Sequence, residues 1–453
     1  MNVKQLKRVY FIGIGGIGMS ALARFFRENG AIVSGYDKTE TELTGLLEEE
    51  GMNIHYTDEV ALLDKETELV VYTPAIPKDH SELNWYQDNN YPVYKRSDVL
   101  EWITTSLHAL TVAGTHGKTT ISTMIAYLLR ETGFGCNAFL GGISVNYGRN
   151  YWHSNHDVAV IEADEYDRSF LKLHPDIAVL TSMDPDHLDI YGTALEMENA
   201  FIQYTQNIKP NGTLIVKHGL QRVDELKGAY IITYSLDNAE ADVYASNIKE
   251  KDGGYTYDLS SKDWNIYGLH LSIGGLHNVE NSIAAICACY IAGADDEKIK
   301  NELPGFRGVK RRFEYVYKTG DVVYIDDYAH HPAELAALIS SAKHLFPARR
   351  CVIAFQPHLF SRTRDLADGF AESLDMADEV LLLDIYPARE LPMEGVTSKT
   401  ITDKMENKHH RILSKEALLD YVKETPLSLF ITAGAGNIDK LVEPIKNILE
   451  DKA

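Results

Sequence analysis

The sequence is poor in cysteine and in positive charge, and it has no long apolar run. Its 453 residues include 4 cysteines, none at metal-ligand spacing, so neither a disulfide scaffold nor a cysteine-bound zinc site is expected. The 44 Lys and Arg against 66 Asp and Glu give a net charge of -22, which argues against nucleic acid or an anionic membrane as a general partner. No apolar run approaches the roughly 20 residues of a membrane span. We therefore expect no membrane insertion and a cytoplasmic location.

A hydrophobic content of 45% and a charged content of 24% are typical of a globular protein, and the length allows several domains. Strand-like and helix-like segments alternate along the chain, which predicts α/β domains with mainly parallel sheets. We predict three: a Rossmann-like domain over 1–105, a central P-loop ATPase-like domain over 106–315, and a C-terminal Rossmann-like α/β domain over 316–453. A β-rich, polar stretch over 213–273 predicts a small antiparallel excursion from the central domain.

The clearest motif is a glycine-rich run between a predicted strand and a predicted helix. Such a turn directs backbone N–H groups and the helix dipole at an anion. Lys118 can then reach the β- and γ-phosphates, and the Thr119 hydroxyl is placed for Mg²⁺. Val112 stands where the standard pattern has its first glycine, so the loop is a variant, and an ordinary strand–turn–helix is the alternative. The predicted ATP-phosphate residues are Gly114, Thr115, His116, Gly117, Lys118, Thr119 and Thr120.

A second glycine motif lies near the N-terminus. Gly13, Gly15 and Gly18 follow a predicted strand, and Asp37 ends the next one. This spacing meets the dinucleotide fingerprint, including the acidic residue that would meet a ribose. Glycines also pack a βα turn where no cofactor binds, so we interpret the motif as a cradle for a nucleotide diphosphate. A nicotinamide-dependent oxidoreductase stays open as an alternative.

Acidic residues and a histidine follow two further predicted strands. Glu162 comes directly after one strand, at the position where a nucleotide-binding fold holds Mg²⁺. His187 follows the next strand among several carboxylates, which suits a second divalent ion. A surface histidine and turn-capping carboxylates are the alternatives.

Basic and aromatic residues mark the start of the third block. Arg312 belongs to a local basic cluster that would clamp a γ-phosphate, if it is not simply solvated. Histidines and arginines at two successive strand ends could form a pocket for a small carboxylate, although structural histidine pairs are also common. They lie in the runs 326–332 and 355–364.

Read together, the motifs resemble the Mur ligases of peptidoglycan synthesis. The resemblance covers nearly the whole chain and rests on motifs in a fixed order. They are the runs 13–20, 114–120, 162–165, 186–187, 275–281, 311–314, 326–332 and 355–358. Any one run could mislead, but the ordered set is specific.

The resemblance implies an ATP-dependent ligase that joins L-alanine to the carboxylate of UDP-N-acetylmuramate through an acyl phosphate. It implies that the enzyme uses ATP and two Mg²⁺ ions, for which Mn²⁺ can substitute. It also implies that the enzyme is a monomer or a homodimer. Lys118, Glu162, His187 and Arg312 would be catalytic, and Thr119, Glu162 and His187 would hold metal. His277, Asn278 and Asn281 would meet adenine, Asp326 the ribose and Arg312 a phosphate, while Tyr328, His330, His358 and Arg362 would hold the amino acid. The UDP-substrate residues would be Gly15, Gly16, Ile17, Gly18, Met19, Ser20 and Asp37.

The chain departs from the family pattern at two places. Leu359 stands where an arginine is frequent, so carboxylate recognition would rest more on Arg362. No lysine lies between His187 and Lys209, so we do not expect the carbamylated lysine of some relatives. The run 162–167 also resembles the ligase that attaches an intact tripeptide to UDP-N-acetylmuramate, and a non-catalytic ATP-gated binding module is a further alternative. The run 355–365 and the closing Gly434 to Gly436 favour the alanine ligase.

Overall fold

The structure is a computed structural model that describes residues 3–388 and 390–452. The chain forms two compact units. The first comprises the chain up to Asn247 with Tyr257–Leu269 and Glu280–Pro304, and the second comprises Ile248–Thr256, His270–Val279 and the chain from Gly305 onward. None of the described helices is long and apolar enough to cross a membrane.

The N-terminal part is a five-stranded parallel sheet in the order β3-β2-β1-β4-β5. The strand order reverses beside β1, which puts a ligand crevice at the carboxyl end of that strand. The strands are β1 (Arg8–Ile12), β2 (Ile32–Tyr36), β3 (Asn53–His55), β4 (Leu69–Tyr72) and β5 (Val93–Lys95). The helices are α1 (Ile17–Glu28), α2 (Glu42–Glu49), α3 (Ser81–Asp88) and α4 (Arg96–Ser106).

A ten-stranded sheet follows, in the order β15-β14-β13-β12-β11-β10-β6-β9-β7-β8. Its strands are β6 (His108–Ala113), β7 (Asn137–Phe139), β8 (Tyr151–Trp152), β9 (Val158–Glu162), β10 (Ile177–Leu180), β11 (Thr213–Lys217), β12 (Tyr230–Ser235), β13 (Val243–Lys251), β14 (Gly254–Ser261) and β15 (Asn265–Leu271). Its helices are α5 (Lys118–Glu131), α6 (Leu188–Tyr191), α7 (Ala194–Gln206), α8 (Leu276–Ala292) and α9 (Asp296–Glu302). Strands β7, β9, β6, β10, β11 and β12 pair in parallel, so their carboxyl ends share one edge.

The C-terminal part is a six-stranded sheet in the order β16-β17-β21-β18-β19-β20, parallel except for the edge strand β16. Its strands are β16 (Glu314–Lys318), β17 (Val323–Asp327), β18 (Cys351–Phe355), β19 (Glu379–Leu382), β20 (His410–Ile412) and β21 (Leu429–Ala433). Its helices are α10 (Pro332–Leu345), α11 (Phe360–Asp365), α12 (Ala367–Leu374), α13 (Lys399–Thr402), α14 (Lys415–Glu424) and α15 (Val442–Asp451). Short 3₁₀ turns lie at Val3–Gln5, Val60–Leu62, Ser169–Lys172, Val223–Glu225, Leu303–Gly305 and Asn437–Leu441.

Strand β1 shows why these sequences form buried parallel strands. Its side chains alternate between two apolar layers: Val9 and Phe11 join the cluster that contains α1, while Tyr10 and Ile12 join a second cluster with Tyr86. Successive residues of a strand point to opposite faces, so a strand covered on both sides is a continuous apolar run. The predicted class, α/β with three parallel-stranded parts, is confirmed.

The β-rich stretch is partly as predicted. Strand β12 pairs in parallel with both β11 and β13. The antiparallel excursion begins only at β13, which neighbours β14 in the sheet and is joined to it by two residues. A two-residue connection can join only antiparallel strands, because a parallel pair needs a long crossover.

Candidate active site

The phosphate loop joins β6 to α5 and packs against the end of β10. Gly114 has φ +123°, and a Cβ there would lie 2.1 Å from Thr181 Oγ1, so only glycine fits. The Thr115 hydroxyl lies 2.7 Å from Ser182 Oγ, which also accepts a hydrogen bond from His116 N at 3.1 Å. These contacts hold the loop at the N-terminus of the 14-residue helix α5. An anion placed there meets free N–H groups and the positive end of the helix dipole.

Lys118 folds back over this loop. Its ammonium donates to Gly114 O at 2.7 Å and to Glu165 Oε1 at 2.8 Å. Glu165 is almost fully buried, and its second oxygen, Oε2, has no hydrogen-bond partner among the described residues. Burial raises the pKa of Glu165, and the charge of Lys118 opposes that rise. A longer contact joins the ammonium to Thr115 O at 3.5 Å. The lysine is therefore held at the loop by one carboxylate oxygen and two carbonyl oxygens, which phosphate oxygens can replace.

Thr119 and Glu162 come together at the carboxyl end of β9. The Thr119 hydroxyl donates to Glu162 Oε1 at 3.0 Å, and Gly141 N donates to Glu162 Oε2 at 3.1 Å. Mg²⁺ prefers oxygen ligands and is usually held by one or two carboxylates together with substrate phosphates. The pair fits this ion beside a phosphate loop. Among the described residues no group of three or more His, Cys, Asp or Glu side chains could hold a metal without substrate.

His187 lies on the neighbouring loop, between β10 and α6. Its ring meets the ring of Tyr166 edge-on at 5.1 Å, and its Nε2 lies 3.6 Å from Asp186 Oδ2. The backbone of His187 is left-handed, with φ +49°, a conformation that is costly for a residue with a side chain. The structure thus orients His187 with neighbours from its own loop and from the loop after β9.

The predicted adenine residues begin α8. Asn278 is buried and donates from Nδ2 to Gly274 O at 2.7 Å, whereas His277 is exposed. In the first unit, Asn281 reaches the phosphate loop, because a Cβ on Gly117 would lie 2.7 Å from its Oδ1. Asn281 is thereby placed beside the predicted phosphate residues.

The N-terminal glycine loop is closed by Asp37. Its Oδ2 accepts a hydrogen bond from Gly15 N at 2.7 Å, and its Oδ1 accepts one from Thr39 N at 3.2 Å. Helix α1 starts directly after Gly16, and the Ser20 hydroxyl donates to Ile17 O at 2.9 Å. Met19 is also buried in this first turn. The glycine loop therefore has the form of an anion cradle whose shape depends on a carboxylate.

In the second unit, aromatic and basic side chains gather at the ends of β17 and β18. The Tyr328 and His330 rings lie 5.3 Å apart, and the His330 and His358 rings 6.3 Å apart. Arg312 lies 5.4 Å above the Tyr328 ring. Burial lowers the pKa of both His330 and His358, and the charge of Arg362 lowers both further. The structure brings these five predicted residues to one sheet edge with both imidazoles neutral at pH 7.

Two neighbouring carboxylates at the end of β17 have different surroundings. Asp326 is fully buried, where Thr432 Oγ1 donates to it at 2.5 Å and Arg311 Nε at 3.2 Å. Burial raises the pKa of Asp326 to about 7. Asp327 is partly exposed and accepts hydrogen bonds from Phe313 N and Ala329 N, each at 2.7 Å. Asp326 is thus enclosed by protein partners, and its predicted ribose contact stays a prediction.

Sequence reasoning missed several residues of these sites. Glu165 is one of the carboxylates for which turn capping is the alternative, yet its carboxylate holds Lys118. Tyr386 stacks on His358 at 5.9 Å, and Arg96 lies against Gly18. The sequence offered a signal only for Glu165, which stands in the acidic run after β9.

Comparisons with known protein families agree on one family. Three family models match successive parts of the chain: the Mur ligase family catalytic domain over 8–107, the Mur ligase middle domain over 112–289, and the Mur ligase glutamate ligase domain over 311–436.

Full-length relatives extend the match. The chain is 47% identical to the UDP-N-acetylmuramate–L-alanine ligase of Cytophaga hutchinsonii, over 100% of this chain and 99% of the relative. It is 48% identical to the enzyme of the same name from Parabacteroides distasonis, over 99% and 98%. The crystal structure of the UDP-N-acetylmuramate–alanine ligase of Thermotoga maritima matches with a TM-score of 0.82 at 27% identity, over 99% of this chain and 100% of the other. The chain therefore belongs to the Mur ligase family.

Proposed function

We propose that this chain is an ATP-dependent ligase that joins L-alanine to the carboxylate of UDP-N-acetylmuramate. Relatives of that name align over their full length at 42% to 48% identity. The observation that carries the proposal is the arrangement at the phosphate loop, where Lys118 lies over the loop and Thr119 meets Glu162. A dehydrogenase or a passive binding module gives no reason for this arrangement.

The chemistry begins with phosphoryl transfer. A carboxylate oxygen of the muramoyl group attacks the γ-phosphorus of ATP, the bond to the β,γ-bridging oxygen breaks, and ADP leaves. Lys118 leaves Glu165 for the transferring phosphate and stabilises its negative charge. Thr119, Glu162 and His187 would hold Mg²⁺, which neutralises phosphate charge when bound; we propose two ions, with Glu162 shared between them and Mn²⁺ able to substitute.

Amide formation follows on the acyl phosphate. The neutral amine of L-alanine attacks the acyl carbon and the carbon–oxygen bond to phosphate breaks. The nitrogen loses one of its two protons to a base and keeps the other as the amide N–H. His330 and His358 suit this step because their lowered pKa keeps them neutral and able to accept a hydrogen bond. Arg362 would bind the alanine carboxylate, and Arg312 would neutralise a phosphate.

Each of the three predicted domains is assigned one of the three substrates. We propose a UDP-substrate domain over 1–105 with its cradle at residues 15–20 and Asp37, an ATP domain over 106–315, and an amino-acid domain over 316–453. Asn278, Asn281 and His277 would meet adenine. We also propose that the enzyme works in the cytoplasm, where its nucleotide substrates occur, as a monomer or homodimer.

Phosphate release tests the reaction directly. Purified protein is given ATP, Mg²⁺ and UDP-N-acetylmuramate with L-alanine, glycine, L-serine or the L-alanyl-D-glutamyl-diaminopimelate tripeptide. We expect release with L-alanine that requires both substrates, and weaker release with glycine and L-serine. Release with the tripeptide but not with L-alanine would instead identify the recycling ligase, which the run 162–167 resembles.

A further inference from the structure

Arg96, at the start of α4, lies against the glycine loop of the N-terminal sheet. A Cβ on Gly18 would lie 2.2 Å from Arg96 Nη1, so the guanidinium occupies the space that any side chain at position 18 would need. The second contact of Arg96 is with Asp164, whose Oδ2 is 3.6 Å from Nη2. The side chain of Arg96 is 21% exposed. It is therefore enclosed between the first turn of α1 and the loop that follows β9.

Glycine at position 18 leaves room for this contact. Gly18 lies inside α1 and does not have a positive φ, so its backbone conformation suits any residue. Glycine inside a helix is less favourable than alanine. A side chain at position 18 would displace the Arg96 guanidinium from the position that it has in this structure.

The positive charge of Arg96 is in an electrostatically unfavourable position unless an anion binds beside it. The N-terminus of α1, a helix of 12 residues, carries a positive partial charge, so a guanidinium beside its first turn is repelled. Asp164 offsets this only weakly, because it is 42% exposed and the pair is separated by 3.6 Å. The second carboxylate at the loop, Asp37, accepts hydrogen bonds from Gly15 N and Thr39 N. A doubly negative group bound here would offset both the positive end of α1 and the charge of Arg96.

Asp164 also sets the direction in which the guanidinium points. It stands one residue before Glu165, the partner of Lys118. Arg96 thus extends from the glycine loop towards the loop that holds the ATP-site lysine.

We propose that Arg96 binds the diphosphate of UDP-N-acetylmuramate and that the diphosphate replaces Asp164 as its partner. The inference rests on the proposed function and adds a substrate-binding residue to it. Asp164 lies beside the guanidinium until the nucleotide arrives, and Gly18 keeps the space open. Arginine suits this role because its planar fork can bind two phosphate oxygens at once.

Calorimetric titration without alanine tests the proposal with three probes: UDP-N-acetylmuramate, UDP and uridine. Arg96→Ala should weaken the binding of both diphosphates at least tenfold and leave uridine and ATP binding unchanged. Arg96→Lys should weaken it less, since a lysine supplies charge without the fork. Asp164→Asn should raise the affinity for both diphosphates severalfold. The Asn side chain keeps the oxygen that accepts from Tyr166 N, but it has no negative charge to compete for Arg96. Arg27→Ala, at the far end of α1, is the matched control and should bind as wild type.

The outcomes separate this inference from the function on which it rests. Wild-type turnover with L-alanine tests the function alone. UDP binding unchanged in Arg96→Ala would overturn the role of Arg96, and so would weakening confined to UDP-N-acetylmuramate, which would place Arg96 on the muramoyl carboxylate. If Arg96→Ala does not fold, as judged by lost ATP binding, Asp164→Asn decides: looser or unchanged UDP binding contradicts the proposal.

Discussion

The ammonium of Lys118 is bound by groups that a phosphate can replace, namely the carbonyl oxygens of Gly114 and Thr115 and one oxygen of Glu165. We therefore expect Lys118→Ala to fold and to lose at least about a hundredfold in kcat, as loss of a charge that stabilises transferring phosphate should. Phosphate release by the variant measures the effect. Lys262→Ala, which removes a lysine side chain 82% exposed, is the control and should be unaffected. Turnover within tenfold of wild type in Lys118→Ala would contradict the assigned role.

The metal role that we propose for the Thr119 hydroxyl leads to a different prediction. Thr119→Val keeps the side-chain shape and removes the donor to Glu162 Oε1. The Mg²⁺ concentration for half-maximal turnover should rise at least about tenfold, with much of the rate recovered at high Mg²⁺. A variant with an unchanged Mg²⁺ dependence would show that the hydroxyl is not a metal ligand.

At this scale the sequence predicted residues whose role depends on local spacing. Lys118 and Thr119 follow from the glycine loop, and Glu162 follows from its place at a strand end. Arg96 could not be predicted, because its partners Gly18 and Asp164 are distant in sequence and meet it only in the folded chain. The contacts of Asp326 could not be predicted for the same reason, because its partners Arg311 and Thr432 come from separate segments.

Helix α1 is fixed from outside by Asn150, which lies just before β8. The Asn150 amide donates to Ser20 Oγ at 2.9 Å and also to Ile17 O, and its oxygen accepts from Arg24. Asn150 and Arg24 are both buried. The first turn of α1, which carries the proposed diphosphate cradle, is therefore positioned by a residue of the ten-stranded part.

Asn150→Ala should leave Arg24 and Ile17 O without these partners and cost about 1–3 kcal/mol. We expect a lower thermal midpoint and a raised KM for UDP-N-acetylmuramate, with kcat and the KM for ATP nearly unchanged. Asn265→Ala, at an exposed position of β15, is the matched control. A lower midpoint with an unchanged KM would mean that Asn150 stabilises the fold without positioning the cradle.

Elements were predicted well where apolar periodicity is strong. Strands β6 and β18 lie where their apolar runs placed them, because a strand buried on both faces has few polar residues. The stretch 213–273 was harder: β12 to β15 are partly exposed, and parallel or antiparallel pairing depends on the connections rather than on residue type.

For the whole molecule, the buried carboxylates predict an unusual pH dependence of stability. Glu82 is fully buried, and burial raises its pKa to about 7 from 4.5. Because the folded pKa lies above the unfolded one, the folded state binds an extra proton between those values. The burial cost is absent below pH 4.5 and grows until the pH has passed the folded pKa of about 7. Stability should therefore fall as the pH rises from 6 to 8.

Glu82→Gln should flatten that dependence, since the side chain no longer titrates. The effect is at most about 3 kcal/mol across the full range. Thermal midpoints at pH 6 and pH 8 measure it, with Glu66→Gln, 78% exposed, as the control. Equal pH dependence in wild type and Glu82→Gln would contradict a buried ionised carboxylate at this position.

The organisation into three α/β parts followed from the sequence because strand–helix alternation recurs three times and each recurrence carries its own strand-end motifs. The compact units did not follow, because Ile248–Thr256 and His270–Val279 belong with the C-terminal unit although they lie inside the predicted central domain. The amino-acid composition of these two segments does not indicate the unit to which they belong.

Oxygen transfer tests the central claim most directly. UDP-N-acetylmuramate labelled with ¹⁸O in its carboxylate is turned over with ATP, Mg²⁺ and L-alanine, and the released phosphate is analysed by mass spectrometry. Ligation through an acyl phosphate predicts one ¹⁸O in each phosphate, because the carboxylate oxygen that attacks phosphorus leaves with it. Unlabelled phosphate during amide formation would contradict that route.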